Sequence, residues 1–214
     1  LALTYSGSAI NGDADPMVVR PLAREAAMRA VRANPGLSEA QLARGYERWL
    51  LEWDWKEAEA GMRTAIDLDP SNATAFRMLG HVLSQAGRHD EAEAATRRAR
   101  ELDSTDPIVA GLSSQVASQA RHVDQALEHA RRAILLDPRF WIGHIMLGIA
   151  LDDAGQPERA LEALDEAARL SNSNSKVISM RGYVLAEIGR KDAALEVLRD
   201  LEVRRRQRYV PPYA

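Results

Sequence analysis

A period of 34 residues constrains this chain more than any other feature of it. Residues 73–106 read ATAFRMLGHVLSQAGRHDEAEAATRRARELDSTD, and the same residue types return when the frame is shifted by 34. Ala58, Ala92, Ala126, Ala160 and Ala194 keep that spacing. So do Ala65, Ala99, Ala133 and Ala167, and again Leu68, Leu102, Leu136 and Leu170. Gly80, Gly148 and Gly182 share one slot, which Ser114 fills in the unit between. Asp69-Pro70 and Asp137-Pro138 close two units, and Asp103-Ser104 closes the one between them. Such a period, with small residues at set places, predicts stacked helix–turn–helix units, none able to bury its apolar stripe alone. Glycine and alanine at the recurring slots let paired helices approach closely. A larger side chain there would overpack the contact, at roughly 1–3 kcal/mol.

The unit resembles the tetratricopeptide repeat. That resemblance implies an all-α fold, a right-handed superhelical solenoid of helix–turn–helix repeats. Full units are expected at 38–72, 73–106, 107–140, 141–174 and 175–208, with a tail at 209–214. The first carries one extra residue between Gly45 and Ala58, because Pro35 precedes Pro70, and Gly45 precedes Gly80, by 35 rather than 34. Residues 1–37 read as a degenerate unit: a helix over 1–10, a loop over 11–21 (NGDADPMVVRP), and a helix from Leu22 to Ala33. Asn34-Pro35-Gly36 stops that helix. The chain opens on Leu1, not Met, within what reads as a helix, and is expected to be a piece of a longer protein.

Several local signals refine the turns. Ser38 with Gln41 reads as a capping box. Asp106-Pro107 places a carboxylate at an N-cap and proline in the first turn, and Gln156-Pro157 is expected to do the same. Gly87, Gly155 and Gly189 fall just past first helices, where a left-handed residue is expected. Arg121 stands in that slot in the third unit. Either it accepts the left-handed backbone, at about 1 kcal/mol, or its turn differs. Trp49, Trp53 and Trp55 crowd the lengthened unit. They read as an aromatic ligand platform or, the favoured reading, as large side chains sealing a longer turn. Arg204, Arg205, Arg206 and Arg208 complement the macrodipole of a last helix carrying Leu195, Leu198 and Leu201. With no polar capping helix after it, that end is expected to be covered by the YVPPYA tail or by a second molecule.

Composition removes several functions. Net charge is −3 with a pI near 6.0, so no global field attracts nucleic acid, and direct nucleic-acid binding is not expected. There is no cysteine, which excludes disulfides and thiolate metal sites and fits a reducing compartment; a cytoplasmic location is expected. No apolar run approaches the roughly 20 residues of a membrane span. The five histidines, at 81, 89, 122, 129 and 144, lack metal-ligand spacing. No phosphate loop, nucleophile elbow or facing carboxylate pair is present; Asp152 and Asp153 are adjacent and point apart on a helix. The expectation is a non-enzyme with no cofactor and no metal.

Two stretches narrow the resemblance. GLSEAQLARGYERWLLEWDWKEAEAGMRTAIDLDPSNATA is similar to the opening of a bacterial repeat domain with a Trp-Asp-Trp turn, and RRRQRYVPPYA to its close. In that family the domain lies C-terminal to winged-helix transcription regulators, class III adenylate/guanylate cyclases or serine/threonine kinases. The resemblance implies a regulatory or sensory module that binds a protein or peptide, or the attached effector domain, in a concave groove. First helices line that groove through repeat positions 2, 5, 9 and 12. Mapping those positions gives Tyr46 and Trp49 in the lengthened unit, and the expected contact set is Arg77, His81, Gln115, Ile142, Ile145, Ile149 and Tyr183. The three isoleucines recur at spacings of three and four, one stripe expected to face water unless a ligand covers it. Arg77 and His81 are expected to meet an acidic segment. The alternative is a structural or oligomerising solenoid whose groove is filled by its own chain or by a second copy in a homodimer.

Overall fold

The spacing in the sequence reappears as the spacing of helix starts. The computed structural model describes residues 1–10 and 14–211, and among these residues there are twelve α-helices and no strand. In chain order they are α1 (Ala2–Ile10), α2 (Pro16–Ala33), α3 (Ser38–Glu52), α4 (Trp55–Leu68), α5 (Ala73–Gln85) and α6 (His89–Leu102). Then follow α7 (Pro107–Gln119), α8 (Val123–Leu136), α9 (Trp141–Asp153), α10 (Pro157–Leu170), α11 (Ser175–Glu187) and α12 (Lys191–Arg205). From α5 on, first helices start 34 residues apart, as do second helices from α4 on. The helices form two compact units: Leu1–Ile10 with Ala14–Ser104, holding α1 to α6, and the chain from Thr105 on, holding α7 to α12. Within each unit every odd-numbered helix packs on the next.

The recurring small residues mark those contacts. Ala58, Ala92, Ala126 and Ala160 have no exposed surface, nor have Ala65, Ala99, Ala133 and Ala167. A β-carbon on Gly80 would stand 2.5 Å from Thr96 Cγ2 and 3.0 Å from the Ala92 carbonyl. In the same slot the Ser114 hydroxyl donates a 2.8 Å hydrogen bond to the Ala126 carbonyl. Serine thus turns the close approach of helix to carbonyl into a bond.

The turn residues form a second register. Trp53, Gly87, Arg121, Gly155 and Gly189 stand 34 apart and have φ of 58°, 77°, 62°, 69° and 78°. Arg121 therefore accepts the left-handed backbone. Trp53 takes the glycine slot too, which corrects the expectation that it seals the turn: from that backbone its side chain projects outward and is 73% exposed. Since Gly45 is out of step with Gly80 and Trp53 is in step with Gly87, the extra residue lies between them, and α3 runs 15 residues against 13 in α5.

Three further expectations need correction. The loop expected over 11–21 ends early: α2 begins at Pro16, because the Asp15 carboxylate caps Met17 N–H at 2.8 Å and proline suits the first helical position. Pro21 sits inside that helix, and residues 11–13 lie outside the described residues. Ser38 is no N-cap, since α3 starts on it; its hydroxyl donates to the Ala65 carbonyl at 2.7 Å, and Gln41 Nε2 to the Pro35 carbonyl. Gln156 makes no side-chain cap, whereas Asp106 accepts from Ile108 N–H at 2.7 Å as expected.

At the C-terminal end Val210 and Pro211 are buried, Val210 in the same core as Val197 and Leu201. Arg204 and Arg208 both donate to the Ser173 carbonyl, which fastens the end of α12 and the tail. Leu195 and Leu198 stay half exposed, so the tail covers this end only in part; residues 212–214 lie outside the described residues.

Candidate functional site

Odd-numbered helices carry the sequence-derived groove positions in both units. In α1–α6, α3 and α5 lie side by side, and Arg77, His81 and Gln85 follow one another at four-residue steps along α5. Facing them on α3 is Trp49, which is 4% exposed. Its indole N–H donates to Gln85 Oε1 at 3.1 Å, and its ring meets the His81 imidazole edge-on at 4.7 Å between centroids. Gln85 Nε2 is 3.2 Å from His81 Nε2, so one amide ties indole and imidazole together. Tyr46 extends the aromatic wall, 5.8 Å from Trp49. Burial pushes its phenol above the usual value, against the pull of the nearby Arg77 charge. Trp49 is buried and fixes His81 and Gln85 from beneath, so the surface offered is a cation, an imidazole, an amide and the half-buried Tyr46 ring, with chemistry for carboxylate and apolar groups on a ligand.

Arg77 and His81 are legible from the repeat positions. Tyr46 and Trp49 map to groove positions as well, although the expected contact set does not include them. Gln85 lies outside the mapped positions altogether. The signal for it in the sequence is its place one turn after His81 on the same helix face.

In α7–α12 the expected isoleucine stripe is only partly a surface. Ile145 is 1% exposed and belongs to the core with Ala117, Met146 and Leu164. That corrects the expectation that all three isoleucines face water. A helix stripe spanning three- and four-residue steps is wide enough for its middle residue to turn inward under the next helix. Ile142 and Ile149 are half-buried against the same core. Gln115 on α7 is half-buried, and Tyr183 on α11 is 64% exposed. Asp152 on α9 is held above the ordinary carboxylate range by burial, then by the Glu187 charge and a hydrogen bond with Glu187. Burial lowers the Lys176 ammonium at the start of α11. This surface is apolar and mildly acidic, unlike the α3–α5 surface. Among the described residues no group of three His, Cys, Asp or Glu could hold a metal ion, and no helix is long and apolar enough to cross a membrane.

Two tetratricopeptide repeat family models match the sequence, one over residues 50–116 and one over residues 113–175. Together they span more than half of the chain. The chain belongs to the tetratricopeptide repeat family.

Solved structures agree on the fold. A thermophilic tetratricopeptide protein of Thermus thermophilus is 18% identical, with a TM-score of 0.70 over 75% of this chain and 87% of that one. The type IV pilus biogenesis factor PilW is 17% identical, with a TM-score of 0.71 over 94% of this chain and 91% of that one. YrrB, described as a tetratricopeptide protein with an unusual peptide-binding site, is 20% identical at a TM-score of 0.53, covering 81% and 89%. None of the curated proteins matches in sequence. The tetratricopeptide fold supports a protein–protein interaction scaffold.

Proposed function

We propose that this chain is a peptide- or domain-binding module whose principal site is the α3–α5 surface. The observation that carries the reading is the Trp49–Gln85–His81 assembly, an indole and an imidazole held by one amide where α3 and α5 lie side by side. Preorganised aromatic and polar groups lower the ordering cost of binding a flexible segment. Arg77 on the same face favours a ligand with an acidic group next to an apolar one. The less basic surface of α7, α9 and α11, with Gln115, Ile142, Ile149 and Tyr183, suits a more apolar stretch. The wider role is regulatory or sensory, in a larger bacterial cytoplasmic signalling protein such as a transcription regulator or nucleotide cyclase. It is supported by the Trp-Asp-Trp turn and the RRRQRYVPPYA close. A second reading, an oligomerising solenoid, draws on the half-exposed Leu195 and Leu198 of α12.

The two readings separate in one experiment. Peptides selected from a displayed random library on the intact chain are measured against wild type, His81→Ala and Arg77→Ala. Binding weakened about tenfold or more by each variant, with helix content unchanged, is expected. Selected peptides indifferent to both, together with a dimer by light scattering that Leu198→Glu dissociates, would replace the first reading by the second.

A further inference from the structure

The outward side of α2 combines exposed apolar side chains with surplus positive charge. Val19, Ala23, Ala26 and Ala27 hold this helix on its inner side, against α1 and α3. On the opposite side Met17, Pro21 and Met28 fall within one narrow strip at helical spacing, running roughly 16 Å. Met17 is 74% exposed and Met28 40%. Arg20, Arg24 and Arg32 line the same shallow groove of about 430 Å³. The helix carries Arg20, Arg24, Arg29 and Arg32 against Glu25, in a chain whose net charge is −3. Glu52 of α3 takes up part of that charge: Arg20 forks onto it at 3.0 and 2.6 Å, and Arg24 is 3.8 Å away. Arg29 lies round the helix beside Ala26 and Ala30, 3.9 Å from Glu25, so the groove itself holds Arg20, Arg24 and Arg32, with Glu52 taking up one of these three charges. Met17, Pro21 and Met28 are all exposed, and none of them belongs to the surface on α3 and α5.

We infer that this strip is a docking surface for an acidic amphipathic helix of a partner protein, its apolar side on Met17, Pro21 and Met28 and its carboxylates on Arg24 and Arg32. Unbranched methionine adapts to differing apolar surfaces, and arginine pairs with carboxylates through two parallel hydrogen bonds. A strip this narrow, bordered by charge, matches the apolar side of a single helix. An anionic membrane fits less well. Glu25 lines the same groove, and α2 carries no Trp, Tyr or Phe to seat at a lipid interface.

The probes are a synthetic helix of about 18 residues with leucine on one side and glutamate on the other, and its lysine-for-glutamate twin. Vesicles of phosphatidylcholine with phosphatidylserine make a third. The acidic helix binds the intact chain, more weakly as salt is raised. The double variant Arg24→Glu/Arg32→Glu lowers that affinity about tenfold or more while helix content at the assay temperature stays that of wild type, and it gains affinity for the lysine twin. Failure of the acidic helix to bind, binding indifferent to the charge reversal, or binding of vesicles alone overturns the inference.

Discussion

Replacing Ile145 by alanine truncates a side chain that is 1% exposed in the core of α7–α12. The loss amounts to about three methylene equivalents, and at about 0.8 kcal/mol each the transfer part is about 2.4 kcal/mol. A cavity is left as well, because Met146, Leu151 and Leu164 are themselves buried in the same cluster and cannot close fully around it. We therefore expect about 3 kcal/mol, inside the range of about 2–5 kcal/mol for such truncations. Urea unfolding followed by circular dichroism reads it: with a slope of about 2 kcal/mol/M, the midpoint of the α7–α12 transition falls by about 1.5 M. Ile149→Ala, at a half-buried position one turn on, should lose less than half as much. Ile145→Glu should lose more than Ile145→Ala, since a carboxylate would be placed where no partner is available. An Ile145→Ala cost under about 1 kcal/mol would refute the burial and return Ile145 to the ligand surface.

Arg121→Gly should stabilise the chain by about 0.5–1 kcal/mol in the same unfolding assay. It relieves a left-handed residue at φ 62°, and the Arg121–Asp153 pair it removes is 3.7 Å long with the arginine side chain largely in water; a loss of stability would mean the pair outweighs the strain. Glu47→Gln tests a buried carboxylate on α3 that is 2% exposed, with Oε1 lacking a hydrogen-bond partner. Burial pushes Glu47 up, and Arg48 opposes it only in part. Its native value being raised, its stabilising contribution is full below the ordinary 4.5 and is lost as pH rises through the native value. Wild type should lose more stability than Glu47→Gln over that rise. Parallel pH profiles would show that Glu47 has no such role.

Sequence alone determined the all-α repeat fold. The reason is that the first helix of each repeat packs on the second in the same way, so one packing rule is written several times over. Ala92 and Ala160 are small because each faces a helix at its closest approach, and that requirement shows as a period. The turn register was legible at Gly87, Gly155 and Gly189 and left two options at Arg121; only Trp53 hid it, because backbone conformation can override residue preference when the flanking helices fix both ends of a turn. The surfaces were less legible. Repeat position says which helix face a side chain shares but not how far the next helix overlaps it. Ile142, Ile145 and Ile149 therefore look alike in sequence, and only packing separates the buried one from its neighbours. Likewise the joining of Trp49 to His81 through Gln85 depends on how α3 and α5 meet, whereas the recurring glycines Gly45 and Gly80 mark only the approach of α3 to α4 and of α5 to α6. Spacing along the chain fixes what a helix offers; contact with another helix decides what remains available to bind.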